Sequence, residues 1–215
     1  MFKRYLLQLK KLFTTIVETK TIETMSYDHF EKMFKEKNFK FFKGNLNLNI
    51  FAIRKNINTD VFDDEFYIAY EDEGIKRVVS YPCTTESGKY YLNNPMNPKG
   101  TAIIVPNQYL SAFKFGLHKG KYECLRQHKQ LQYWRDFDGD DNHNLSGKIY
   151  EEIAYTNIHH AGTNSNIVGK YSAGCIVFKN KQNFKDMMKL AHKSAKLYGS
   201  TFTFTLFDEI EVNEN

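Results

Sequence analysis

From Asn45 onward, apolar and polar residues alternate with a period of two. The pattern runs through LNLNIFAIR, FYIAYED, RVVSYPCTT and TAIIVP, with the turn clusters DEG, ESG and NNPMNPKG between them. Successive side chains of an extended chain point to opposite faces, so this alternation predicts strands with one buried face, joined by short connections in antiparallel order. All four prolines lie between Pro82 and Pro106, and no repeat or low-complexity linker divides the chain. One compact, mainly β domain over residues 45–215 is therefore expected. Residues 1–44 read as an accessory segment of two helices. The second has Ser26 to cap it, Asp28 in its first turn, and Phe30, Met33 and Phe34 at helical spacing before Gly44 ends the pattern.

Composition narrows the class. With 18 Phe and 14 Tyr among 215 residues, the chain has ample apolar surface to offset the entropy of ordering, which excludes a disordered protein. Thirty basic against 25 acidic residues give a net +5, spread along the chain. That excess suits an anionic partner without demanding nucleic acid, and none is expected. No run of about 18 apolar residues is present, so no transmembrane helix is expected. In the opening MFKRYLLQLKKLFTTIVETK, Gln8, Lys10 and Lys11 interrupt the apolar stretch that a signal peptide needs, and no small-residue cleavage site follows. No signal peptide is read, which implies cytoplasmic synthesis. Leu6, Leu9, Phe13 and Ile16 share a helical face that either packs on the domain or lies on a membrane surface.

Further along, residues 111–144 read as two strands closing into a polar loop at 136–144. A strand then ends at 158–160, a short strand follows at 175–178, and residues 182–198 form a helix stopped by Gly199. TFTFTLF is the last strand.

Three cysteines, an odd number, leave at least one free thiol, and the absence of a CxxC pair argues against a structural zinc site. A thiol attacks carbonyl carbon only as thiolate, so a nucleophilic cysteine needs a neighbouring base or a positive field. Cys175 follows His159 by 16 residues and His160 by 15, across a loop that adjacent strands would close. Only one of the two histidines can then face the thiol, because neighbours on a strand point opposite ways. Ser172, Ala173 and Gly174 are small enough for a tight turn whose amides could face an oxyanion. On composition alone a lone cysteine in a strand reading CIVF is more often a buried small hydrophobe than a nucleophile.

Other side chains read more simply. Asp136, Asp138, Asp140, Asp141 and Asn142 superficially resemble a calcium loop, but the glycine stands fourth and no downstream Glu completes it, so a solvated turn and no metal are expected. Arg135 could grip a peptide carboxylate through its fork, with Trp134 beside it as a core residue or a substrate platform. His118, His128, His143 and His192 lack HExxH spacing and read as surface or packing residues, which leaves a zinc hydrolase as a weak rival. Cys83 and Cys124 read as core.

IHHAGTN followed by YSAGCIVFKN resembles the L,D-transpeptidase catalytic domain family, and in particular its divergent phage- and prophage-associated branch with a Ser-Ala-Gly-Cys turn. The likeness covers residues 157–180. It implies an antiparallel β-sandwich or sheet, with Cys175 as nucleophile, His159 as base, the Gly174 and Cys175 amides as oxyanion donors, and Ser172 shaping the turn. Ala173 stands where most of the family has histidine, a place His160 could fill, and the family's asparagine after the cysteine is displaced to Asn180. The implied activity is cofactor-free acyl transfer or hydrolysis on peptidoglycan stem peptides, with action at the cell wall or in a virion and phage virion or lysis proteins as partners. A catalytically inactive wall-binding or virion structural module of the same fold is the alternative.

Overall fold

The computed structural model describes residues 25–55, 60–162 and 165–209. The first expected helix, with its Leu6, Leu9, Phe13 and Ile16 face, lies outside them. The described residues form α1 (Tyr27–Glu36), β1 (Asn49–Arg54), β2 (Asp64–Asp72), β3 (Ile75–Thr84), α2 (Lys89–Asn93), β4 (Thr101–Ile104), β5 (Asn107–His118), β6 (Tyr122–Gln127), β7 (Leu131–Asp136), β8 (Tyr150–Glu152), β9 (Asn157–His160), β10 (Ile176–Phe178), α3 (Lys181–Tyr198) and β11 (Thr201–Asp208). No helix among them is long and apolar enough to cross a membrane.

The mainly β class is what the chain forms, but the architecture departs from an antiparallel sandwich or open sheet. Eight strands close into a barrel in the order β1-β11-β5-β6-β9-β10-β3-β2, and a separate three-stranded sheet runs β4-β7-β8. Two barrel pairings are parallel, β1 with β11 and β9 with β10. The physical reason lies in β1. Every residue of NIFAIR is buried, so neither face meets water, and hydrogen bonding to both β2 and β11 satisfies both of its edges.

Alternation sorts the side chains of β1 into two layers. Ile50 and Ala52 join the barrel interior with Phe66, Phe113, Phe178 and Phe204. Phe51 and Ile53 point outward and are covered by α1, whose Tyr27, Phe30, Met33 and Phe34 complete a second cluster. The Phe30 and Phe51 rings lie 4.6 Å apart, and Phe34 meets Phe207 edge-on at 5.1 Å. Each such buried side chain contributes about 1.5–3 kcal/mol, far more than the helix's own propensity. Ser26 caps α1 as expected, its Oγ accepting from His29 N at 3.2 Å, but the helix stops at Glu36, well before Gly44. At the other end of the chain, α3 packs Phe184, Met187 and Met188 against the interior cluster.

The stretch expected to hold two strands holds three. Lys121 N donates to the His118 carbonyl at 2.9 Å, with Lys119 and Gly120 both at positive φ, so HKGKY makes a mirror-image hairpin turn that splits β5 from β6.

Where β1, β2 and β11 end, the barrel encloses a charged cluster. Arg54, 2% exposed, donates from Nε to Thr85 Oγ1 (3.1 Å) and from Nη2 to the Ile104 carbonyl (3.0 Å), and its Nε lies 3.3 Å from Glu86 Oε1. Burial pushes the Glu86 carboxyl up to about 9, against the pull of Arg54. A carboxyl raised in the fold contributes stability that is fully present below its ordinary value of 4.5 and is lost as pH rises through 9. Glu86→Gln removes that group, so the variant should lose less stability than the parent between these limits. Urea unfolding across a pH series checks this, and parallel curves would refute it.

Candidate active site

The site is built where the parallel strands β9 and β10 meet the small sheet. In their register Ile176 pairs with Ile158, Val177 with His159 and Phe178 with His160. Ile158, Ile176 and Phe178 face the barrel interior, while Cys175 and Val177 pack on the opposite side with Phe62, Ala161 and Val168. Parity therefore puts Asn157 and His159 on the face of Cys175. Cys175 lies beside Asn157, whose backbone N–H donates to Sγ at 3.4 Å. Among the described residues no hydrogen bond joins Cys175 to an imidazole.

The turn before Cys175 is held from within. Ser172 Oγ donates to the Cys175 carbonyl (2.8 Å) and accepts from Gly174 N (3.2 Å), so Ser172 shapes the turn as expected. The same bond changes the role of Gly174, because its N–H is spent on Ser172 and does not point free at a substrate. What position 174 requires is glycine itself. Its φ is +107°, and a Cβ there would come 2.5 Å from the Ala102 carbonyl oxygen of β4.

His159 is 2% exposed. Its Nδ1 lies 3.1 Å from the His160 carbonyl, which can only accept, so Nδ1 carries the proton and Nε2 holds the lone pair. Nε2 is buried with no hydrogen-bond partner. Tyr122 OH completes the corner by donating to the same carbonyl at 3.3 Å. The ring of His159 stacks on that of His118, with centroids 3.9 Å apart and planes inclined by 27°.

A cavity of about 470 Å³ opens over this face, lined by Cys175, Ala173, Asn157, His118, Arg135 and Tyr171 among others. His118 reaches it from the end of β5, directly before the hairpin turn. Read from sequence as a surface or packing residue, it is instead the imidazole at the cavity wall. The signal for it was the HKGKY turn, which places position 118 at a strand end beside Tyr122. Asn157 was missed as well, since its role depends on the register of β9 against β10.

The expected substrate-binding residues divide. Arg135 does line the cavity, but its Nε and Nη2 both hold Glu152 Oε1 (2.9 and 2.5 Å) and its Nη1 the Gly100 carbonyl. Its fork is thus spent on the wall and not free for a carboxylate. Trp134, one residue out of phase on β7, pairs with Ile103 of β4 and does not line the cavity. His160 is turned away from it, stacked on Tyr122 (4.4 Å) with Phe184 of α3 nearby, and its Nδ1 accepts from Gly162 N. It does not stand in for the imidazole missing at Ala173. Asn180 caps α3, its side chain accepting from Gln182 N and Asn183 N. In the acidic loop Asp138 and Asp140 cap the amides of Asp140 and Asn142, and Asp141 is held from α2 by Lys89 and Asn93. No group of three metal-ligating side chains occurs among the described residues.

Electrostatically the site rests neutral. Burial pushes the Cys175 thiol above its ordinary value. It pushes His159 down to about 3 and His118 down to about 4, and the neighbouring positive groups push the same way. A preformed thiolate and imidazolium pair is therefore disfavoured.

Set against family models, curated proteins and solved structures, the chain matches none.

Two outcomes follow from the geometry. Gly174→Ala should cost at least about 1–3 kcal/mol from strain at the turn, read by urea unfolding, and an unchanged midpoint would contradict the contact with Ala102. Iodoacetamide alkylation mapped by mass spectrometry should reach Cys175 before Cys83 and Cys124, both 0% exposed. Its rate should climb through the alkaline range with no plateau at neutral pH, and such a plateau would mean a preformed thiolate.

Proposed function

We propose that the protein is a cysteine-dependent acyltransferase or hydrolase acting on peptidoglycan stem peptides, of the L,D-transpeptidase kind, in a phage or prophage setting. The observation that carries the reading is the pairing of β9 with β10. It sets the IHH strand beside the strand that the SAGC turn leads into, with Cys175 and His159 on one face and Cys175 in the wall of a cavity. In this reading His159 Nε2, unprotonated and without a partner, takes the Cys175 proton as sulfur attacks a peptide carbonyl. A thioester forms, the leaving amine departs with the proton, and water or a second amine releases the acyl group. Water gives carboxypeptidase or endopeptidase products, and an amine gives a cross-link. No step calls on a metal or organic cofactor.

A second reading has support of its own. Ala173 in place of histidine and a thiol raised by burial also suit an inactive module that binds wall peptide or serves as a structural part of a virion.

Incubating the full chain with purified peptidoglycan and resolving muropeptides by mass spectrometry separates the two. Catalysis predicts new cleaved or cross-linked species that vanish in Cys175→Ala and fall by about 10²–10⁴ in His159→Ala. Sedimentation with the wall, together with muropeptides unchanged by parent and Cys175→Ala alike, would establish the binding module instead.

A further inference from the structure

Ser172 occupies the Gly174 amide, which leaves the turn one donor short of the pair of N–H groups that an oxyanion needs. The stacked imidazoles have opposite tautomers. Where His159 keeps its proton on Nδ1, His118 Nδ1 lies 3.2 Å from the Asn157 side-chain amide nitrogen, which can only donate. The proton of neutral His118 therefore sits on Nε2. Asn157 also binds the nucleophile, so one residue holds thiol and imidazole in a fixed relation: its backbone N–H is on Cys175 Sγ and its side chain on His118. Of the two rings only His118 lines the cavity, and its Nε2–H has no hydrogen bond to a described residue.

We infer that His118 is a catalytic group of this site, its Nε2–H donating to the carbonyl oxygen of the acyl donor as that oxygen gains negative charge, in place of the Gly174 amide. The inference rests on Cys175 being the nucleophile. As the Cys175 proton passes to His159 Nε2, the sulfur electron pair forms the S–C bond and the carbonyl π pair moves onto oxygen. The oxyanion then accepts from His118 Nε2–H and from the Cys175 N–H. When the intermediate collapses, the π bond re-forms, the bond to the leaving group breaks, and that group takes the proton from His159. Burial pushes His118 down to about 4, so it stays a neutral donor across the working range, and its lone pair at Nδ1 is taken by the Asn157 side chain and not turned to the thiol proton. The substrate class is a peptide amide or an ester, whose carbonyl oxygen fits a single donor at this wall.

Two reactions at the same sulfur test this in the full-length protein. Acylation by p-nitrophenyl acetate passes through an oxyanion, whereas alkylation by iodoacetamide displaces iodide and forms none. His118→Phe keeps a ring to stack on His159 but loses the donor, and His118→Leu is a second donor-free variant should the first fail to fold. Acylation is expected to fall by about 10²–10³ while alkylation at the same pH is unchanged, and His118→Gln, which restores an N–H donor, should recover part of the loss. Parallel loss of both reactions would overturn the inference and leave His118 as a positioning residue behind which His159 is held. Unchanged acylation would overturn it outright. If Cys175→Ala acylates as well as the parent, the nucleophile itself is wrong and the inference falls with it, an outcome distinct from the other two.

Discussion

The arrangement depends on one pairing, the parallel ladder between β9 and β10 inside a closed barrel. Parallel neighbours cannot be joined by a tight hairpin, so the chain must leave β9, cross over and return through a separate turn before β10. The loop and the SAGC turn occupy that crossover. Because the register matches Val177 with His159, the period of two sends Asn157, His159 and Cys175 to one face and Ile158, His160 and Phe178 to the other. A slip of one residue would exchange His159 for His160 and bury the wrong ring. Closure protects the register, since β10 is hydrogen-bonded on its other edge to β3 and neither strand has a free edge on which to slide.

Burial then sets the chemistry. His159 is closed off from water and Cys175 and His118 are only partly open to the cavity, and taking a charge out of water costs more than a single neighbouring imidazole repays. The neutral forms of the thiol and the imidazoles win. The same balance holds in the charged cluster around Arg54. There the hydrogen bonds of Arg54 to Thr85 and Ile104 replace its hydration, while burial drives Glu86 towards its neutral acid.

Local signals proved legible wherever one residue or one short pattern decides the outcome. Ser26 caps α1 because its side chain needs only the next turn, and the alternation of β1, β2 and β11 is visible strand by strand. Arg135 was legible as a cavity residue but not as one already bound, because Glu152 reaches it through the pairing of β7 with β8. His118 was missed for the same kind of reason. Its value comes from stacking on a ring 41 positions away in the chain (159 − 118), a relation that neither segment reveals alone.

The sequence by itself determined that this chain is mainly β, where most of its strands and its last helix run, and that Cys175 follows a small-residue turn one loop after two histidines. These properties come from alternation, capping and spacing, all of which act within a few residues. Only the tertiary structure decided that the sheet closes into a barrel, which of the two histidines shares the face of the thiol, that the Gly174 amide is already taken, and that His118 stands at the cavity wall. Each of these depends on which strand edges meet and in what register, and that is settled by the burial of both faces of β1 and by the packing of the whole barrel, not by any local preference of the residues concerned.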